Sequence, residues 1–386
     1  MFKYRNNKNY LALFFTRGIS LEQWENLGLL DRELSMWEKY LATKYFTEID
    51  LYTYGINDES VGISIFRGTV FEGKLNVRPM PRMFHSTIGI YIYSFLLPFI
   101  QFKYIRKCNM IKTNQMDGAW SAILSGFLFR IPVYLRTGFT LSQITHIAEP
   151  ERRLKLFMIN LLERLSFGMC DVGAVASEHN VRYLQKRNIK GVDIVPNFVD
   201  VHKFRITKKL PLRKNRLLFV GRFSPEKNLF NLINACAVLG VGLDIVGDGV
   251  LKTPLMNRVS EMGSDVNFLG TYKNSDLPKI FNEYKFYILP SISEGMPKTL
   301  LEAMACGCVC LGTDVTGINE VITSDVNGLL SQGILEADLI EVLERAFKTP
   351  DLQSLIENGT KEIAGKYSIE GVYNKELELF SRMVQR

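Results

Sequence analysis

The chain runs to 386 residues, 47% of them hydrophobic, with 47 Lys and Arg against 40 Asp and Glu, a formal net charge of +7. That composition excludes a disordered or low-complexity protein and allows two cores of about 100 to 200 residues each. The modest charge gives no reason to expect nucleic acid, and with no segment that reads as a secretory leader the six cysteines are expected to stay reduced.

An apolar run at 11–15 reads as the first strand, followed by Gly18 in the turn to a helix. Similar runs at 110–113, 133–135, 172–176, 217–220, 243–246, 286–289 and 309–312 alternate with helical segments, which predicts parallel sheets covered by helices on both faces. The longest uncharged apolar stretch, IGIYIYSFLLPFIQF at 88–102, has 15 residues and contains Pro98. A spanning helix needs about 20, so a buried helix of the first domain is expected, with an interfacial element as the alternative. In ERRLKLFMINLLERL, three cations fall in the first helical turn, where the helix dipole disfavours them, which makes 151–165 the better candidate for contact with a membrane. Residues 1–200 hold 25 Lys and Arg against 18 Asp and Glu, whereas 201–386 hold 22 of each, so the whole positive excess lies in the first half. That surface suits either an anionic membrane face and a lipid-linked diphosphate or ordinary solvation. A polar, basic stretch near 198–214 marks the join between domains.

Past the join, LLFVGRFSPEKNL reads as a buried strand, then Gly221, Arg222 and a helix start near Ser224. A loop at a strand's carboxyl end is where ligands bind in open parallel sheets, and Arg222 with Lys227 places two cations there. Arg offers a planar fork and Lys a compact charge, a pair suited to a diphosphate; an exposed basic loop is the plainer alternative. No Asp-x-Asp pair occurs to hold a divalent ion, and no metal is expected. The stretch IVGDGVLK starts like a dinucleotide fingerprint but has Lys252 in place of the third glycine.

Further on, SISEGMPKTLLEAMACG sets Glu294 and Glu302 eight positions apart. Pro297 suits the first position of a helix expected over 297–305, whose N-terminus would offer the backbone N–H groups of Lys298, Thr299 and Leu300 to an anion. Eight helical steps would part the carboxylates by about 12 Å, beyond the roughly 5 to 9.5 Å of a glycoside hydrolase, although the first glutamate lies in a loop that could fold back. An amphipathic core helix, buried through Leu300, Leu301, Met304 and Ala305, is the alternative. Cys306, Cys308 and Cys310 lack a second ligand pair and are expected as small buried residues. None of the four histidines forms a metal-spaced set, and His146 is either an acceptor contact or an ordinary loop residue.

Taken in order, VGRFSPEKN at 220–228, IVGDG at 245–249, NFLG at 267–270, the E-x7-E segment ending in ACG at 305–307, and TDVTGINEVI with NGLL at 313–330 resemble the retaining glycosyltransferases of family 4 (glycosyl transferases group 1). The resemblance covers most of the C-terminal half and is weaker before it. It implies the GT-B fold, two Rossmann-like doubly wound parallel-sheet domains facing a central cleft. Residues 1–200 would form the acceptor side, residues 201–367 the nucleotide-sugar side, and helices over about 368–386 would cross back. It further implies that Arg222 and Lys227, with Gly221, hold the donor diphosphate, that Glu294 contacts the sugar and that Glu302 takes the ribose hydroxyls. Backbone groups of Gly295, Met296 and Pro297 would meet sugar hydroxyls, those of Thr299 and Leu300 the phosphates, while Asn267 and Leu269 would lie near the base and Gly18 near the phosphates. Many members have a His-Gly pair where this chain reads VYLRTGF, which puts Thr137 in the histidine's place; Arg136, Thr137 and His146 are the acceptor-side candidates. Phe198 stands where glycine is common and Val309 where proline often is.

The implied activity is transfer of a sugar from a UDP- or GDP-sugar to a hydroxyl of a glycan or lipid-linked acceptor, with retention of configuration, without cofactor or metal. The implied place is the cytoplasm, in peripheral contact with an anionic membrane. A catalytically inactive nucleotide-sugar-binding partner, or an epimerase or hydrolase of the same fold, is the alternative.

Overall fold

The computed structural model describes residues 9–26, 28–148 and 151–384. Two parallel sheets organise it. The first has seven strands: β1 (Tyr10–Phe14), β2 (Glu48–Tyr52), β3 (Leu75–Arg78), β4 (Met110–Thr113), β5 (Val133–Thr137), β6 (Val172–Val175) and β7 (Val192–Ile194), in the order β3-β2-β1-β4-β5-β6-β7. The second has six: β8 (Lys214–Val220), β9 (Leu243–Val246), β10 (Val266–Gly270), β11 (Tyr284–Leu289), β12 (Val309–Thr313) and β13 (Leu329–Ser331), in the order β10-β9-β8-β11-β12-β13. One compact unit holds the residues up to Pro196 together with those from Tyr373 onward; the other holds Asn197–Val372.

The eight apolar runs of the sequence are β1, β4, β5 and β6 in one sheet and β8, β9, β11 and β12 in the other, all of them interior strands. Central strands are covered on both faces and so read as continuous apolar runs. The five strands not marked by such runs lie at or next to the sheet edges. In β2, the buried Asp50 accepts from Arg78 Nε at 3.1 Å, a polar pairing that breaks the run. In β7 no residue is fully buried.

In the first unit, Phe14, Tyr52, Ile111 and Val133 from the sheet pack with Tyr93 and Leu97 of the Thr87–Ile100 helix and Ala122 and Ile123 of the Ala119–Phe129 helix. The expectation of a buried helix over 88–102 needs correction. Gly89, Tyr93, Ser94, Leu97 and Pro98 are buried, but Ile88, Tyr91, Ile92, Phe95, Leu96 and Phe99 are exposed. Because both faces are apolar, no periodicity in the sequence tells the inner from the outer.

The C-terminal helix, Ile369–Val384, is fixed to this unit by a buried ion pair: Lys112 Nζ lies 2.8 Å from Glu376 Oε1, and Tyr40 donates its hydroxyl to Glu376 Oε2. Burial lowers the Lys112 pKa, and the facing carboxylate opposes that shift. A lone charge in this place would be costly; the pairing makes it tolerable.

Candidate active site

Each sheet begins in its middle and grows outward both ways, which leaves a switch point between β8 and β11 in the second unit. Loops leaving two such neighbours diverge and open a crevice at the carboxyl ends of the strands. The two motif clusters are these two loops. Ile292 N–H donates to the Glu226 carbonyl at 2.8 Å and ties one to the other.

After β8, Ser224 is extended, Pro225–Lys227 makes one 3-10 turn, and Asn228 adopts a left-handed conformation (φ 56°) with its side-chain amide donating to the Ile334 carbonyl at 2.8 Å. That turn aims Lys227 at the neighbouring loop, where its ammonium pairs with Glu294. Both side chains are largely shielded, at 15% and 8% exposure, and Ser291 Oγ donates to the same Glu294 oxygen at 2.7 Å. Arg222 takes the other direction. Its side chain is 84% exposed, 4.0 Å from Glu226. Burial pushes the Glu226 carboxyl up, but bonds from Ser224 and its own backbone N–H, with Lys227 and Arg222 nearby, outweigh that and hold it below the usual range.

The backbone of the glutamate loop is clamped from two sides. Asn197 donates its side-chain amide to the Met296 carbonyl at 2.8 Å. Gly317, in the loop after β12, lies so close that a Cβ there would be 2.5 Å from the Gly295 carbonyl oxygen, and its φ of +84° also calls for glycine. On the other flank a Cβ on Gly247 would overlap the Gly221 carbonyl oxygen, so IVGDG serves here as a close-packing turn.

The helix runs Lys298–Ala305, one residue later than expected. Pro297 keeps an extended ψ of 112° and acts as the N-cap, its carbonyl accepting from Leu301 N–H at 3.4 Å. The first N–H groups of a helix have no acceptor within it, so those of Thr299 and Leu300 are donors at its positive end. Thr299 Oγ1 accepts from the Tyr287 hydroxyl at 2.8 Å. Leu300, Leu301 and Met304 are core residues, as the plainer reading of this helix requires. Glu302 is 3% exposed and accepts from Asn274 Nδ2 at 3.1 Å. Cys306, Cys308 and Cys310 are buried; Cys308 donates its thiol to the Phe281 carbonyl at 3.2 Å, and burial pushes its pKa up to about 12.

The other expected residues scatter. Asn267 pairs in register with Asp244, away from the carboxyl edge of the sheet, and its amide donates to Asp244 Oδ1 at 2.8 Å. Burial raises the Asp244 pKa, but bonds from Tyr284, Asn267 and Arg216 outweigh it and hold the carboxyl low. Leu269 and Gly270, at the end of β10, are half-buried. In the first unit, Arg136 donates to the Val195 and Pro196 carbonyls at 3.3 and 3.1 Å, and the wholly buried Thr137 donates to the Phe139 carbonyl. His146 falls in the Leu141–Ala148 helix, but its side chain lies outside the described residues.

The first sheet has its own switch point, between β1 and β4. There Gly18 (φ 76°) sits beside Arg17, whose guanidinium makes two 2.9 Å bonds to the Asp117 carboxylate and stacks 3.8 Å from the centre of the Tyr91 ring. These groups line a cavity of about 570 Å³ with Trp120, Lys155 and Met158. Sequence reading missed Arg17, Asp117, Asn197 and Asn274, because each takes its role from a partner distant in the chain, and Ser291, whose bond to Glu294 three residues on depends on how the loop folds.

Residues 200–362 match the family model described as Glycosyl transferases group 1. Over 154 residues, 40% of this chain and 44% of the relative, the sequence is 30% identical to an uncharacterized glycosyltransferase of Methanocaldococcus jannaschii. Over 211 residues, 50% of this chain and 54% of the relative, it is 28% identical to the UDP-Gal:alpha-D-GlcNAc-diphosphoundecaprenol alpha-1,3-galactosyltransferase of Escherichia coli. The chain thus spans about half the length of these relatives. Among solved structures, it is similar to sucrose-phosphate synthase of Thermosynechococcus elongatus, with a TM-score of 0.78 and 17% identity over 98% of this chain and 100% of that one. It is also similar to Anabaena HepE in complex with UDP and glucose, with a TM-score of 0.75 and 15% identity over 96% and 99%. The chain shares the two-sheet GT-B fold of these solved structures, and its residues 200–362 are similar to the glycosyl transferases group 1 domain.

Proposed function

We propose that this protein transfers a sugar from a nucleotide-diphosphate donor to a hydroxyl of a lipid-linked or glycan acceptor, with retention of configuration and without a metal ion. The observation that carries the reading is the meeting of Lys227 and Glu294 at the β8/β11 switch point, beside the N-terminus of the Lys298–Ala305 helix. Lys227, held by Glu294 in the free protein, would turn to the diphosphate when donor arrives. Glu294 would then be released to accept from the sugar hydroxyls. Exposed Arg222 would close on the anion, and the Thr299 and Leu300 N–H groups would stabilise the negative charge that grows on the leaving phosphate. Buried Glu302, oriented by Asn274, suits two ribose hydroxyls. In this reading no side chain serves as a nucleophile for double displacement, and the leaving phosphate itself would take the acceptor's proton on the face it departs from.

Two names support the choice of substrates. The HepE structure holds UDP and glucose, which favours a UDP-sugar. The E. coli relative is named for a sugar on diphosphoundecaprenol, which favours a lipid-linked acceptor in polysaccharide synthesis, met by peripheral contact at the cytoplasmic face of an anionic membrane. Calorimetry of UDP and GDP without metal, on the wild type and on Arg222→Ala/Lys227→Ala, tests the site. One nucleotide should bind and be lost in the double variant. If neither binds, with or without magnesium, the donor site is wrong and the transferase reading goes with it.

A further inference from the structure

Two helices of the first unit turn an apolar face outward. In the Arg153–Met169 helix the buried residues are Ile159, Glu163 and Ser166, two of them polar, while Leu154 and Phe157 are 76% and 62% exposed, with Met158, Leu161 and Leu165 beside them. The buried Glu163 is satisfied: its carboxylate accepts from the Ser142 N–H at 3.0 Å and the Ser142 hydroxyl at 2.5 Å. The Thr87–Ile100 helix has no charged residue at all, and its outer positions 88, 91, 92, 95, 96 and 99 are all apolar or aromatic and exposed. Both exposed sets follow the three- and four-residue spacing of one helical face. The Ala119–Phe129 helix packs against both and adds exposed Phe127 and Leu128 at its end. Monomers rarely leave contiguous apolar patches above a few hundred Å² in water, and a row of this many large side chains calls for a partner.

Charge selects that partner. Residues 73–116 contain seven Lys and Arg and no Asp or Glu. Arg78 and Lys112 are paired inside the unit, but Arg82 precedes the Thr87–Ile100 helix, and Lys103, Arg106 and Lys107 follow it, all exposed. Arg152, Arg153 and Lys155 are exposed at the start of the second of these helices. An apolar strip with a basic rim fits the acyl boundary and headgroups of an anionic bilayer, where each cation near the surface adds to the attraction. A second copy of the chain would bring the same basic rims face to face, at a cost. No helix among the described residues is long and apolar enough to span, so the strip would lie in the interface.

We infer that the outer faces of the Thr87–Ile100 and Arg153–Met169 helices insert together into one leaflet of an anionic bilayer. This deepens the proposed membrane contact and rests on it, moving its centre from the 151–165 segment alone to a two-helix face. The cavity at the β1/β4 switch point is lined from the same helices by Tyr91, Leu154 and Met158, so an acceptor carried on a lipid would reach it along the inserted face.

The test is flotation of the full chain with vesicles of phosphatidylcholine containing about 30 mol% phosphatidylglycerol, with pure phosphatidylcholine as control. Binding should require the anionic lipid and weaken with salt. Ile88→Ser/Phe99→Ser and Phe157→Ser/Leu161→Ser should each lower it about tenfold or more, with melting temperature and UDP affinity close to wild type, since all four side chains are already exposed. Absence of binding, binding untouched by either pair, or equal binding to neutral vesicles would overturn the inference. So would a dimer on light scattering that the same substitutions dissolve while vesicles go unbound. UDP binding retained in any of these cases leaves the donor-site reading intact.

Discussion

Replacing Glu294 with Gln separates the two tasks proposed for its carboxylate. In the free protein that carboxylate neutralises Lys227 and accepts from Ser291, at 8% side-chain exposure. At an effective dielectric constant near 20, a contact between unit charges is worth about 4 kcal/mol gross, and an incoming diphosphate must recover that from Lys227 while lying near a fixed anion. Gln keeps the shape and still accepts from Ser291, but releases the lysine. A quarter of the gross term returned to the nucleotide is about 1 kcal/mol, so UDP affinity should rise roughly fivefold. Turnover should move the other way, falling by about two orders of magnitude, because the amide is a weaker acceptor for sugar hydroxyls at the moment charge separates. Titration calorimetry with UDP and initial rates at saturating donor give the two numbers. A variant that loses nucleotide affinity and turnover in parallel would refute the exchange of partners and make Glu294 a simple donor-binding group.

Glu302→Gln should weaken UDP binding about tenfold while leaving turnover at saturating donor close to wild type, and Asn274→Ala should weaken it less and add nothing on top of Glu302→Gln; calorimetry on the two single variants and the double reads both. Gly317→Ala should cut turnover by about tenfold or more with a smaller effect on UDP affinity, since its methyl must displace the Gly295 carbonyl beside the proposed sugar position; steady-state kinetics show whether rate and affinity separate. Glu376→Ala leaves Lys112 buried without its counter-ion, which should cost about 3 to 5 kcal/mol and lower the melting temperature of the first unit on the order of 10 °C by scanning calorimetry; a shift of a degree or two would mean that water reaches the lysine.

What could be read from the amino-acid order followed burial. Strands covered on both faces announced themselves as apolar runs, and all eight runs proved to be interior strands, none at a sheet edge. Edge strands such as β10, with only Val266 fully buried, and β13, three residues long, carry too little one-sided pattern to stand out. The Thr87–Ile100 helix misled for the opposite reason. Apolar residues all round normally mean a helix buried all round, but nothing in the sequence states whether protein or lipid covers the second face.

The site divides along a similar line. Glu294, Glu302, Arg222 and Lys227 stood out as candidates because a helix N-terminus and a strand end are local features, each written in a dozen consecutive residues. The ion pair between Lys227 and Glu294 was not, since it depends on β8 and β11 lying side by side, with β9 and β10 placed beyond β8. Sheet order is a long-range property, and it turns two separately plausible motifs into one device. Had β11 followed β10 at the edge, the same residues would lie two strand spacings farther apart, roughly 10 Å at 4.8 Å per strand, beyond the reach of a direct ion pair. The same reasoning explains Asn274, which looks like one loop asparagine among several until the fold sets it against a buried carboxylate that needs a donor. The proposed chemistry at this edge of the sheet therefore belongs to the switch point as much as to the motifs, and a variant that altered strand order while keeping every motif intact would be expected to lose the site.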